Sequence, residues 1–213
     1  MSSYLELNNV CKTIKGQMIL NHISLQLEKG GIYGFIGRNG SGKSMLFKAI
    51  CGFLSLDQGT IQIGGKQLEK EIDFPPSVGM IIEKPALIPY RNGLDNLKLL
   101  ASIRKEITEE KIRDAMALVE LDPDSRKKVR AYSLGMKQRL AIAQAVMEEP
   151  ELLILDEPMN ALDQQMVARV KHLLKNEQQR GCTILLCSHI AGDVEELCDH
   201  LYEIENGSVT ELW

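Results

Sequence analysis

Gly37-Arg38-Asn39-Gly40-Ser41-Gly42-Lys43-Ser44 follows the apolar run Ile32 to Ile36 and leads into Met45, Leu46, Ala49 and Ile50, which are spaced as on a helix. The stretch fits the pattern GxxxxGK[ST] in the strand-to-helix setting that this pattern requires. Its physical meaning is the capture of phosphate. Glycines let the backbone curl so that successive N–H groups converge on phosphate oxygens, and the start of the following helix adds its partial positive charge. The predicted cradle comprises Gly37, Asn39, Gly40, Ser41, Gly42, Lys43, Ser44 and Met45. In it Lys43 neutralises the β- and γ-phosphates and the Ser44 hydroxyl ligates Mg²⁺.

A nucleotide triphosphate also needs a carboxylate for the metal and a base for the attacking water. Leu152-Leu153-Ile154-Leu155-Asp156-Glu157-Pro158 supplies both at the end of an apolar strand, where an open parallel sheet places its ligands. Asp156 is assigned to Mg²⁺ and Glu157 to polarising the water. Alone, a strand ending in Asp-Glu says little; beside the phosphate loop it specifies phosphoryl transfer.

The rest of the chain arranges itself around these two segments. Tyr4 to Val10, Ile19 to Leu27 and Thr60 to Ile63 read as further strands, and Leu152 to Leu155 and Ile184 to Cys187 as buried parallel ones linked by crossovers. Between Pro85 and about Met147 the period becomes helical, with Leu94, Leu97, Leu100 and Ile103, then Ile112, Met116 and Val119. The residues from Cys198 onward read as closing strands around an Asn206-Gly207 turn. The charge run Arg126 to Arg130 reads as solvated surface, and His22, His172 and His200 fit no motif.

Composition bounds the answer. At about 150 residues per domain, 213 residues make roughly one domain or one with a sizeable insertion. Apolar residues at 44% and charged residues at 25% exclude a disordered or collagen-like chain. Lys plus Arg at 25 against Asp plus Glu at 29 leaves −4, with a pI near 5.7, which argues against a dedicated nucleic-acid binder. No run approaches the roughly 20 apolar residues of a membrane span, and Met1 to Val10 lacks the pattern of an export signal. Five cysteines without a CxxC pair suggest buried reduced thiols, neither a disulfide framework nor a zinc site.

With these segments in place, Tyr132-Ser133-Leu134-Gly135-Met136-Lys137-Gln138-Arg139 shortly before the Asp-Glu strand resembles the signature LSGGQ of the ATP-binding subunits of ABC transporters. The likeness extends over essentially the whole chain. Asn160-Ala161-Leu162-Asp163 is similar to the family's D-loop, and His189, after a strand, to its switch histidine. The resemblance implies an α/β P-loop NTPase fold of the RecA-like type, a mostly parallel sheet core with an N-terminal antiparallel β subdomain and an inserted α-helical subdomain. Residues 1–84 and 149–213 would form the core and 85–148 the helical insertion. It implies ATP and Mg²⁺ as ligands, a head-to-tail homodimer or a pairing with a homologous ATPase, and a separate integral membrane permease near Glu83 to Asn96. Ser133 and Gly135 would then act on the partner's γ-phosphate, and His189 would contact the γ-phosphate and steady Glu157. No nucleic-acid partner is implied, and the chain would sit in the cytoplasm, peripheral on the inner face of a bacterial cell membrane.

Three positions depart from the pattern. Leu134 and Met136 replace signature residues while Ser133 and Gly135 remain. Glu83, in Val78-Gly79-Met80-Ile81-Ile82-Glu83-Lys84-Pro85, stands where the family has Gln; its carboxylate is a third candidate metal ligand beside Ser44 and Asp156. Ile14 stands where an aromatic ring usually stacks on adenine, so adenine packing must be aliphatic or come from elsewhere. The combination SLGMKQR, Glu-x-Pro and Asn96-Leu97 looks like the branch that exports bacitracin, lantibiotics and related peptides. A non-transport or regulatory ABC-type ATPase is the alternative.

Overall fold

Alternating burial in the first third of the chain builds two long antiparallel strands, β1 (Leu5–Ile14) and β2 (Gln17–Leu27), before the short buried β3 (Ile32–Ile36). The phosphate loop and α1 (Lys43–Ile50) follow, then β4 (Gln58–Ile63), β5 (Lys66–Gln67) and β6 (Val78–Ile81). Helices α2 (Gly93–Arg104), α3 (Glu109–Leu118) and α4 (Leu134–Val146) come next, and β7 (Leu152–Asp156), α5 (Gln164–Gln179), β8 (Thr183–Cys187), α6 (Ala191–Glu195), β9 (His200–Glu205) and β10 (Ser208–Glu211) close the chain. This computed structural model describes residues 3–83, 85–188 and 191–213.

The strands form two sheets. One is antiparallel in the order β2-β1-β4-β5; the other runs β10-β9-β3-β8-β7-β6, parallel from β9 to β6, with β10 antiparallel at its edge. Strands β7 and β8 are buried at every residue, which is why Leu152 to Leu155 and Ile184 to Cys187 are apolar runs without alternation. Leu153 and Leu155 face a cluster shared with Leu97, Met116, Leu140 and Ile142. Leu152 and Ile154 face the opposite cluster with Phe35, Phe47, Leu5 and Leu20. The sheet therefore lies between the helices α2 to α4 and the antiparallel sheet, and α1 is pinned to it by Phe47, edge-on to Phe35 at 5.6 Å.

Side-chain caps start the helices. Asn92, Thr108, Ser133 and Asp163 each accept from the N–H three residues on, at the starts of α2, α3, α4 and α5. Buried Asn96 ties the approach to α2, accepting from Ile88 N–H at 2.7 Å and donating to the carbonyls of Asn92 at 2.7 Å and Ile88 at 3.2 Å.

Two expectations from sequence need correction. Leu94 and Leu97 are buried, but Ile103 is 75% exposed. A strict three-residue repeat falls about 60° short of a full turn at each step, so after three steps it reaches the opposite face of α2. The segment Val78–Ile81, absent from the strands expected from sequence, is β6, paired with β7 at the sheet edge. All five cysteines are buried and unpaired. Among the described residues no helix is long and apolar enough to cross a membrane.

Candidate functional site

The loop between β3 and α1 turns through three glycines in left-handed or nearly extended positive-φ backbone, Gly37 at 151°, Gly40 at 81° and Gly42 at 114°. At Gly37 the need is also steric, because a Cβ there would stand 2.3 Å from the Ile204 carbonyl oxygen. The far end of the chain props the curl from outside. Gly207 N–H donates to the Ser41 carbonyl at 3.1 Å, and Asn21 N–H donates to the Gly207 carbonyl at 2.8 Å.

Lys43 is buried inside the curl, its ammonium donating to the carbonyls of Gly37 at 2.6 Å and Arg38 at 3.0 Å. The Ser41 hydroxyl is buried in the same loop and, among the described residues, has no hydrogen-bond partner. A buried orphan hydroxyl beside a positively charged curl at a helix start is what an anionic oxygen ligand would satisfy. The residues therefore fit a phosphate.

At the start of α1, the Ser44 hydroxyl donates to Asp156 Oδ2 at 2.5 Å, joining the loop to the end of β7. A hydroxyl and a carboxylate are the hard oxygen donors that suit Mg²⁺. Among the described residues no three His, Cys, Asp or Glu side chains gather as a metal-binding group. Glu157 follows at φ 53°, its N–H held by the Cys187 carbonyl at 3.0 Å. Behind it the Cys187 thiol is pushed far above its ordinary pKa, first by burial and then by the Asp156 carboxylate, so the wall of the site there is uncharged.

These groups face one hollow, lined by Ile19, Asn39, Gly40, Gly42, Lys43, Ser44, Met45, Glu83, Asp156 and Glu157. Glu83 sits at its rim, at φ 59°, ion-paired with Lys48 on α1. A second hollow on the other side of the loop is lined by Gln17, Met18, Ile19, Arg38, Asn39 and the 203–207 turn. Ile14, half-buried at the end of β1 opposite Gln17, is not in either lining; the aliphatic side chains beside the loop are those of Met18 and Ile19.

Ser133 and Gly135 lie outside these linings, at the exposed start of α4, where Leu134 is 70% exposed. The Ser133 hydroxyl caps the helix by accepting from Met136 N–H at 3.1 Å, and Gly135 backs onto Ala161, whose carbonyl would stand 2.8 Å from a Cβ. His189 lies outside the described residues.

One residue was quoted in the sequence without a role. Gln138, buried on α4, donates from Nε2 to the carbonyls of Glu157 at 3.2 Å and Pro158 at 2.9 Å. The signal available for it was an amide on the same helical face as Ala141 and Ala145, where a polar group needs partners.

Comparison with known proteins points one way. The family described as ABC transporter matches residues 20–160. An uncharacterised ABC transporter ATP-binding protein of Bacillus subtilis (strain 168), YybJ, is 46% identical over 203 residues, covering 95% of this chain and 93% of the relative. The bacitracin transport ATP-binding protein BcrA of Enterococcus faecalis is 37% identical over 213 residues, 99% of this chain and 69% of its own. The lantibiotic transport ATP-binding protein SrtF of Streptococcus pyogenes is 34% identical over 205 residues, 96% and 88%. Among solved structures, the dimeric MJ0796, a bacterial ABC transporter cassette, superposes with a TM-score of 0.88 at 22% identity, covering 98% of this chain and 99% of that one. Its dimeric post-hydrolysis state bound to ADP and Pi superposes equally well.

Proposed function

We infer the working of the site from one premise: this chain belongs to the ABC transporter family, as the ATP-binding and ATP-hydrolysing subunit of a transport system. Its similarity to the bacitracin and lantibiotic transport proteins supports an antimicrobial peptide or antibiotic as the exported substrate. The pathway itself would lie in a separate membrane permease, which this chain would meet along the segment from Glu83 to Asn96 at the inner face of a bacterial membrane.

The observation that carries the reading is the 2.5 Å bond between Ser44 and Asp156, which brings the phosphate loop to the strand end where Glu157 lines the same hollow. The main-chain N–H groups of residues 37–45 and the Lys43 ammonium hold the β- and γ-phosphates. Ser44 and Asp156 are the residues that would hold Mg²⁺, with Glu83 at the rim; the cation, when bound, neutralises charge developing on the phosphates. Glu157 orients a water against the γ-phosphorus and draws off its proton. As the new P–O bond forms, the bond to the bridging oxygen breaks and ADP departs with that electron pair. Ser133 is exposed and Gly135 half-buried, and both lie outside the linings of their own chain's hollow, which supports their closing over the nucleotide of a second copy or a homologous partner. The resemblance to the family adds His189 to the γ-phosphate contacts.

Mg²⁺-dependent turnover measured over a protein concentration series, beside Glu157→Gln, tests this. Specific activity that rises with concentration and is lost in the variant is expected; undiminished turnover in Glu157→Gln would remove the assigned base. A wild type that binds ATP but stays silent even with its permease would instead favour the regulatory reading.

A further inference from the structure

Five of the eight residues of α1 are buried, and the three that reach the surface, Ser44, Met45 and Lys48, form one stripe along the helix. Positions 44 and 48 are about one turn apart and so share a face. Ser44 and Met45 line the hollow, and Lys48 carries the stripe on to its rim, where its ammonium donates to the Glu83 carboxylate. A cation in the last turn of a helix is favourable wherever it points, so the presence of Lys48 there decides nothing by itself. Its partner does. The Lys48 side chain is 28% exposed against 60% for Glu83, so the ammonium is the shielded member of the pair and the carboxylate the one with room to move.

The charges that face the hollow give the pair its meaning. Asp156, Glu157 and Glu83 line it with three carboxylates and Lys43 with one ammonium, a sum of −2 that Lys48 brings to −1. A triphosphate entering this hollow is itself an anion, so an uncovered carboxylate at the rim would repel it. Glu83 also holds a left-handed φ of 59°, which a residue with a Cβ keeps only where its surroundings fix it. Among the described residues the Lys48 ammonium is the side-chain group bonded to it.

We propose that Lys48 is a positioning residue that acts through Glu83, giving its carboxylate two alternative partners. Before Mg²⁺ arrives, Glu83 stays on the Lys48 ammonium and the rim is neutral toward the triphosphate. Once Mg²⁺ is held at Ser44 and Asp156, Glu83 turns to it and the ion pair opens, so Lys48 competes with the cation for the same oxygens. Lys48 thereby favours the metal-free nucleotide and weakens the hold on the metal. The inference deepens the ATPase reading and rests on its assignment of Glu83 to the metal site.

The test is the affinity of the full chain for the β,γ-imido analogue of ATP, measured by calorimetry once in EDTA and once in excess Mg²⁺. Wild type is compared with Lys48→Gln, Lys48→Arg, Glu83→Gln and the double variant Lys48→Gln, Glu83→Gln. The quantity read is the factor by which Mg²⁺ tightens binding. An ion pair with one shielded partner is worth up to about fivefold, the equivalent of about 1 kcal/mol. Lys48→Gln should therefore weaken metal-free binding and raise the Mg²⁺ factor about fivefold. Lys48→Arg keeps the charge and should stay within about twofold of wild type. In the Glu83→Gln background the Lys48 substitution should move the factor by less than about twofold. A merely structural role for Lys48 would weaken both bindings in step and leave the factor alone. A factor that moves by less than about twofold in Lys48→Gln, that falls, or that moves as far in the Glu83→Gln background would overturn the proposal. If wild type binds the analogue more tightly in Mg²⁺ and only the Lys48 effect is missing, this inference alone falls. If the full chain binds no nucleotide under either condition, the ATPase reading falls with it.

Discussion

Gly79→Ala puts the joint between sheet and signature helix to the test. On β6, an ideal Cβ at Gly79 would stand 1.8 Å from the Ala145 carbonyl oxygen of α4 and 2.9 Å from Leu153 Cδ2. Ordinary contact is about 3.5 Å, so α4 would have to retreat by more than 1 Å, and because the obstacle is main chain, no rotamer change can absorb the methyl. Overpacking of this kind costs about 1–3 kcal/mol, and a helix carbonyl against a buried strand belongs at the upper end. For a chain of this size about 3 kcal/mol lowers Tm by roughly 6–12 °C. Turnover should fall as well, since α4 carries both Ser133 and the Gln138 amide that holds the Glu157 and Pro158 carbonyls. Thermal unfolding followed by circular dichroism reads the first effect and phosphate release the second. Gly192→Ala is the control: among the described residues a Cβ there meets nothing within 4 Å, it lies exposed in α6, and it should cost nothing or add up to about 1 kcal/mol. A Gly79→Ala protein melting within about 2 °C of wild type would refute the packing of α4 on β6.

Gln138→Met keeps volume but strips two hydrogen bonds from buried carbonyls, so it should cost about 1–3 kcal/mol in stability and lower kcat more than it weakens nucleotide binding; a parallel fall in both would show that Gln138 does not steady the Glu157 turn. Glu83→Gln breaks an ion pair with Lys48 whose Glu83 side is largely exposed, so stability should move by less than about 1 kcal/mol while the Mg²⁺ concentration for half-maximal turnover rises; an unchanged Mg²⁺ dependence would take Glu83 out of the metal site. Burial holds the thiols of Cys51, Cys182 and Cys198 up at about 12, so at pH 8 the folded chain should react with a thiol reagent only as fast as it unfolds, with all five sites released in denaturant. Because those pKa values are raised from 9, the stability they lend is full below pH 9 and is lost as pH climbs from 9 toward 12; denaturation midpoints that held constant across that window would contradict their burial.

What could be read from the chain and what could not divide along physical lines. The phosphate loop, β3, β7 and β8 were legible because each encodes its geometry locally, in glycines or a continuous apolar run. The meeting of Ser44 with Asp156, 112 positions apart, followed from motif chemistry, since a metal site needs both. β6 was missed because four residues at a sheet edge, one of them glycine, carry no period of their own and exist as a strand only through pairing with β7. Gln138 escaped assignment because its partners are carbonyls, which a sequence never shows. Lys48 escaped as the partner of Glu83 for the parallel reason that their pairing depends on how α1 and the Glu83 turn face one another.

The support of the phosphate loop by the 204–207 turn has a consequence during synthesis. The Ile204 carbonyl sets the close approach at Gly37, and Gly207 bonds to both Ser41 and Asn21, so the loop's outer wall is made of residues that leave the ribosome more than 160 positions after the loop itself. Until that hairpin threads alongside β3, the nascent chain holds the glycines and Lys43 without the brace that fixes their curl. The curl is thus fixed only after residues 204–207 have been made, and a chain terminated before them should hold ATP more weakly than one that carries them.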